Sequence, residues 1–204
     1  MFEIEFNKSE IVTTDKPQSA KSVKQQLKQA EKALLRKEEA SAIITGIGGI
    51  PAHGVSVDIL CNGQSNAGGF YEVIRDQWGY VNHLCLATWI INRHYIDMLI
   101  SDLSEGRLGF LTFILSNRMS QLGKGHAPNF NRLKNLLPQL DNASFRVANS
   151  HAKVYCMTNG ADHITCSGSG NWSDNPRIEN YILSNRSEER RVGKECRSRW
   201  SPNH

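Results

Sequence analysis

The chain has 204 residues, 39% of them hydrophobic and 22% charged, which suits one folded domain with its own core. No apolar run approaches the roughly 18 residues that a membrane span requires. The acidic N-terminal stretch MFEIEFNKSEIV lacks the apolar segment of a secretory signal. The formal charge of +4 gathers at the C-terminal end, 186-RSEERRVGKECRSRWSPNH-204. Taking its six basic and three acidic residues from totals of 24 and 20 leaves 18 against 17, so bulk charge does not argue for nucleic acid. That terminal string reads as translated adaptor or vector sequence, a non-native tail with no fold signal. The competing reading is a native basic tail for nucleic acid.

Residues 1–18 read as an irregular lead-in. From Ser19 to Ala40 the pattern is helical, with Val23, Leu27, Ala30 and Leu34 as an apolar stripe. Lys24, Lys28, Lys32 and Arg36 form a basic stripe beside it, a solvated face or a contact for a phosphate backbone. A short apolar run broken by glycines, 42–54, precedes a strand at 55-VSVDILCNG-63. The Gly-rich stretch 63–78 fits neither GxxxxGK[ST] nor GxGxxG, and reads as a loop entering a helix instead of a phosphate cradle. A buried strand comes next at 83–91. The helix over 92–106 has Asn92 as its cap and Gly106 as its stop. A second buried strand at 109–116, a loop at 117–129, a short helix at 130–140 and a strand at 143–148 complete the middle. Two further strands flank the turn 159-NGAD-162 as an antiparallel hairpin, and the fold calls for a further helix near Leu183, in whose place the foreign-looking tail is expected to stand.

Alternating strands and helices define the fold class as α/β, a mixed central β-sheet flanked by helices, with an N-terminal helix. The expected organisation is a lead-in and amphipathic helix over 1–40, one α/β domain over 41–185, and the tail over 186–204. The five cysteines, Cys61, Cys85, Cys156, Cys166 and Cys196, are odd in number and form no CxxC. They read as reduced, buried thiols in a cytoplasmic protein and not as a zinc site, so no metal is expected.

The chemistry concentrates in 151-HAKVYCMTNGADHITCSGSGNW-172. Strand alternation predicts that His151 and Lys153 project to one face, with Ala152 opposite. An imidazole beside an ammonium suits a phosphate: the lysine neutralises phosphoryl oxygens, and the ring attacks phosphorus or protonates a leaving oxygen. The hairpin returns Ser169 and Asn171, a hydroxyl and an amide set among glycines, toward that pair.

HAK with GSGN downstream resembles the HxK…GSxN signature of the phospholipase D-like superfamily. The segment 172-WSDNPRIENYIL-183 is similar to the stretch on the C-terminal side of that signature, and residues from about Val55 to Leu183 resemble one whole repeat of the fold. The resemblance implies a catalytic set of His151, Lys153, Asn171 and Glu179. His151 would be the nucleophile or general acid, and Glu179 the acidic residue that orients it. Lys153, Ser169 and Asn171 would hold the phosphate. The resemblance further implies a metal-independent phosphodiesterase without a cofactor, passing through a phosphohistidine. The family's aspartate five residues after the lysine is Thr158 here, and Asp162 lies further on. With a single HxK (126-HAPN-129 lacks the lysine), the chain resembles members that form a homodimer, two histidines facing one another across a two-fold axis. A nuclease acting on DNA or RNA, with no stable membrane association, is the expectation. A phospholipid hydrolase or phosphatidyltransferase, and a non-catalytic phosphate- or nucleic-acid-binding module, are the alternatives. Trp172 reads as core, His94 and His163 as structural, and Arg118 and Arg177 as phosphate contacts or surface ion pairs.

Overall fold

The computed structural model describes residues 20–63, 65–123, 125–173 and 177–186. The lead-in, Cys196 and all of the tail beyond Arg186 lie outside the described residues. In chain order come α1 (Ala20–Gly46), β1 (Ser56–Cys61), α2 (Ala67–Trp78), β2 (Val81–Thr88), α3 (Arg93–Ser104) and β3 (Leu108–Ser116). A 3₁₀ turn at Asn117–Gln121 leads to α4 (Ala127–Leu136), then β4 (Ala143–Ala148), β5 (Val154–Thr158), β6 (His163–Gly168) and β7 (Glu179–Asn185).

The strands form one seven-stranded sheet in the order β1-β7-β6-β5-β2-β3-β4. β2, β3 and β4 run parallel, and α3 and α4 supply the crossovers that parallel neighbours require. The other neighbours are antiparallel. This is the mixed α/β sheet flanked by helices, with an N-terminal helix, that the alternating pattern predicts. Alternate side chains enter one core: Leu84, Leu86, Leu111, Phe113, Tyr155, Met157, Ile164 and Leu183. The intervening residues face away. Cys85 and Cys156 are among these, so they are half-buried and not buried as expected, whereas Cys61 and Cys166 are buried; all four are free thiols.

Two elements depart from the expected pattern. α1 runs through the expected boundary at residue 40 to Gly46. Its buried positions are Ala33, Ala40 and Ile44, while Leu34 is 57% exposed. The reason is close helix packing. A Cβ at Gly69 of α2 would lie 3.2 Å from the Arg36 carbonyl and 3.3 Å from the Ala40 Cβ, a distance that small residues alone permit. Lys37, on the same face, pairs with Glu72 at 3.5 Å and Asp76 at 2.5 Å. The side chains of Val23, Lys24, Leu27 and Ala30 lie outside those described. The second departure is β7: the sequence pattern assigns residues 179–185 no element, and a strand there inserts between β1 and β6.

The Gly-rich loop is no phosphate cradle. Asn66 caps α2 by accepting from the Gly69 N–H (3.0 Å) and from the Tyr95 hydroxyl (2.7 Å). A Cβ at Gly68 would sit 2.6 Å from the Tyr95 ring, so this N-terminus is closed by the protein itself. At α3, Asn92 holds the cap position without a side-chain cap bond, and its backbone N–H donates to the Trp172 carbonyl at 2.8 Å. Trp172 is 1% exposed and packs against Tyr71, Tyr95 and Tyr155, as the core reading expected.

α2 and α3 are joined by a buried ion pair. Arg75 donates to Asp102 at 2.7 Å, and the Tyr71 hydroxyl donates to the same carboxylate oxygen at 3.1 Å. Arg107 approaches the other oxygen at 3.1 Å. Burial works against the Arg75 charge, but its bonds to Asp102 and Asp76 outweigh that and hold the guanidinium more firmly protonated than usual.

Candidate active site

The connectivity collects chain ends along one sheet edge. The carboxyl ends of β1, β2, β3, β4 and β6 and the amino ends of β5 and β7 lie there, as the registers Cys61↔Glu179, Gly168↔Tyr181, Val154↔Ser167, Ala87↔Val154, Thr88↔Leu115 and Ser116↔Ala148 show. In open α/β sheets the carboxyl ends of parallel strands are where ligands bind.

His151 and Lys153 stand at this edge, though not for the expected reason. β5 starts only at Val154, so strand alternation does not pair them. The Ser150 hydroxyl accepts from the Ala152 N–H at 3.1 Å and bends the chain locally. The Lys153 carbonyl accepts from the Gly168 N–H at 3.2 Å, tying HAK to GSGN. Lys153 then folds back: its Nζ lies 3.1 Å from His151 Nδ1, 3.4 Å from Nε2 and 3.1 Å from the His151 carbonyl oxygen. Trp89, just beyond β2, backs both. Its ring centroid is 4.7 Å from that of His151 and 5.6 Å from the lysine nitrogen. His151 is exposed and Lys153 half-buried. Burial holds the Lys153 ammonium below the ordinary lysine value, with the Glu179 carboxylate opposing.

The second half of the motif forms its own cluster. Ser169 donates its hydroxyl hydrogen to Glu179 Oε2 and accepts from the Asn180 N–H at 3.1 Å. Its backbone N–H donates to the Asn180 carbonyl at 3.0 Å. Glu179 is 5% exposed. The resemblance put its carboxylate on the histidine; here the ring's contacts are with Lys153 and Trp89, and Glu179 braces the GSGN turn through Ser169 while acting on Lys153 by charge. Asn171 is 7% exposed, and its amide oxygen has no partner among the described residues. A buried polar atom of that kind is one that a ligand or water satisfies, and a half-turn of the amide offers donors in the same place.

Both glycines of GSGN are required by space. A Cβ on Gly168 would collide with the Asn180 carbonyl, and one on Gly170 with the Tyr181 hydroxyl. Gly168→Ala is therefore expected to destabilise the fold by about 1–3 kcal/mol, the scale of overpacking. Its urea midpoint against the parent protein's is the check; no shift would contradict this packing.

Departures from the family pattern fall away from this edge. Thr158 ends β5 at the other side of the sheet, where its hydroxyl accepts from the Gly160 N–H at 3.0 Å. Asp162 accepts from Asn185 at 3.1 Å, and Asn185 also donates to the Pro51 carbonyl at 2.9 Å, fastening the end of β7. His94 is exposed beside Tyr95; the backbone N–H of half-buried His163 donates to Asn185. Arg177 is exposed. Among the described residues no group of three or more His, Cys, Asp or Glu side chains is placed to hold a metal ion.

Residues outside the motif complete the edge. A cavity of about 530 Å³ is lined by Trp89, Asn117, Arg118, Gln121, Leu122 and Asn149. Of these only Arg118 stood out in the sequence. Their signal was topological: each comes just after the carboxyl end of β2, β3 or β4.

The arrangement gathers an imidazole, an ammonium and a buried amide, His151, Lys153 and Asn171, at the carboxyl edge of an open α/β sheet. No protein-family profile and no curated protein matches the sequence. Among solved structures the chain is similar to a phospholipase D family member, Nuc from Salmonella typhimurium, at 13% identity and a TM-score of 0.49, covering 72% of this chain and 95% of that one. It is similar to NucT from Helicobacter pylori at 12% identity and a TM-score of 0.46, over 70% and 92%. Phosphatidylserine synthase from Haemophilus influenzae overlaps at 14% identity and a TM-score of 0.44, over 73% and 39%. Likeness this loose assigns neither substrate nor reaction to this chain.

Proposed function

We propose that this chain is a phosphodiesterase of the phospholipase D-like kind, a nuclease that uses His151 as nucleophile, needs no metal and works as a homodimer. The observation that carries the reading is the Lys153–His151 pair, its ammonium 3.1 Å from a ring nitrogen, held by backbone against the Ser169–Asn171 turn. A ring nitrogen of His151 attacks phosphorus. Lys153 and Asn171 take up the charge on the non-bridging oxygens. The P–O bond to the leaving group breaks, and that oxygen takes a proton from the imidazolium of His151 in a second copy of the chain. Water then attacks the phosphohistidine and gives its proton to the now neutral second imidazole. The P–N bond breaks, and both rings return to their starting states. Proton transfer of this kind contributes roughly 10²–10⁴ in rate. Ser169 and Glu179 hold the turn that positions Asn171. The exposure of His151 leaves it open to a partner copy, and the exposed Lys28 and Lys32 of α1 offer charge to a phosphate backbone.

Supercoiled plasmid incubated with the protein in EDTA tests this. Nicking should persist in the chelator and vanish in His151→Ala, and sedimentation should give a dimer. Nicking abolished by EDTA, or a fully active monomer, would contradict the mechanism.

Lys153 gives the reaction a pH dependence. Its cationic form is the one that binds phosphate, and its pKa lies below the ordinary 10.5. As pH rises through that lowered value the charge is lost, so kcat/KM, which reports the free enzyme, should fall on the alkaline side below pH 10.5. In Lys153→Arg the guanidinium stays charged and this limb should disappear. A limb unmoved by Lys153→Arg would exclude the lysine as its source.

A further inference from the structure

The cavity beside the histidine has a composition the mechanism does not use. Three carboxamides, Asn117, Gln121 and Asn149, one guanidinium, Arg118, and the apolar surfaces of Trp89 and Leu122 line its roughly 530 Å³, an open depression in which every lining residue but Trp89 is exposed. The parallel register of β2, β3 and β4 brings these residues together, since each lies in the segment leaving one of those strands. Trp89 is a wall shared with the active site, because its ring also packs on His151 and Lys153. A substrate with phosphorus at the histidine therefore has the Trp89 ring, one wall of this cavity, within reach. Carboxamides carry a donor and an acceptor side by side, as the edges of nucleobases do. An indole offers a face on which any base can stack. No carboxylate pairs with the Arg118 guanidinium among the described residues, so it is available to a flanking phosphate. An acyl chain would meet apolar surface at Trp89 and Leu122 alone and would desolvate three amides without replacing their hydrogen bonds.

We infer that this cavity is the subsite for the nucleobase of the nucleotide that carries the scissile phosphate, an inference that rests on the phosphodiesterase reading and deepens it. Trp89 stacks the base, Asn117, Gln121 and Asn149 meet its edge, and Arg118 holds the neighbouring phosphate. Calorimetric titration of the full chain with thymidine 5′-monophosphate, inorganic phosphate and dihexanoyl phosphatidic acid tests it, alongside plasmid nicking by the same preparation. The nucleotide should bind at least about 10-fold more tightly than inorganic phosphate, the scale of one stacked base. In a Gln121→Ala/Asn149→Ala variant, both positions exposed and free to be truncated, that ratio should fall toward one. Equal affinity for nucleotide and phosphate with His151-dependent nicking intact would overturn the subsite and leave the activity standing. Tighter binding of phosphatidic acid would overturn it in favour of a lipid. Base-selective binding with no His151-dependent nicking would keep the subsite and remove the reaction; no binding together with no nicking would remove both.

Discussion

His151→Ala is expected to lower phosphodiester turnover by on the order of 10⁴-fold or more, the size of loss that accompanies removal of a covalent nucleophile. The ring does two jobs in the dimer: in one copy it bonds to phosphorus, and in the other it delivers the leaving group's proton. Truncation removes both at once. The fold should be indifferent, because the side chain is exposed and its contacts are Lys153 and Trp89. The thermal midpoint should stay within a few degrees of the parent's while single-turnover rates collapse. Lys153→Ala should cost less, about 10²–10³-fold, as for one group that stabilises developing charge. A His151→Ala protein that retained a tenth of the parent's rate would remove the histidine from the chemistry.

The largest expected loss of stability lies elsewhere, at Asp102. Its carboxylate is 0% exposed and receives Arg75 and the Tyr71 hydroxyl from α2, with Arg107 on its other oxygen. Asp102→Ala leaves Arg75, itself 5% exposed, as a buried cation whose remaining carboxylate partner is the partly exposed Asp76, and leaves a buried hydroxyl without an acceptor. Breaking a buried pair from one side costs about 3–5 kcal/mol. The Arg107 contact adds little, because that residue is partly exposed and screened. Replacing both partners, Arg75→Met with Asp102→Leu, should recover most of the loss, since apolar residues of similar volume often substitute for a buried ion pair at little cost. Urea midpoints of the single and double variants decide this. A single variant within about 1 kcal/mol of the parent, a typical surface-scale effect, would show that the pair does not tie α2 to α3.

The parts of the fold that were legible in the sequence are those set by local pattern. β3 and β4 are short apolar runs bounded by turns, and α3 ends where Gly106 takes a left-handed conformation, φ 72°. HAK and GSGN stood out in the sequence because they flank the two strands of one hairpin, β5 and β6. What failed depended on partners far away in the chain. The buried face of α1 is one residue out of phase with its leucines because α2 approaches so closely that Ala33 and Ala40 are the residues that fit, leaving Leu34 and Leu35 in solvent. β7 is a strand because β1 and β6 present open edges on either side of it; its own seven residues, ENYILSN, carry no decisive period. Glu179 was identified, but its bond to Ser169 depends on how GSGN turns against β7. The cavity beside Trp89 was invisible for a similar reason: segments leaving β2, β3 and β4 meet there only through the sheet register.

The covalent intermediate offers the most direct measurement. Rapid mixing with a single-stranded oligonucleotide, quenching in alkali where phosphohistidine survives, and intact-mass analysis should show a protein carrying the phosphoryl-linked fragment. Digestion should place it on the peptide containing His151, and His151→Ala should show none. Turnover by the parent protein with no adduct at early times, together with undiminished turnover by His151→Ala, would contradict the account.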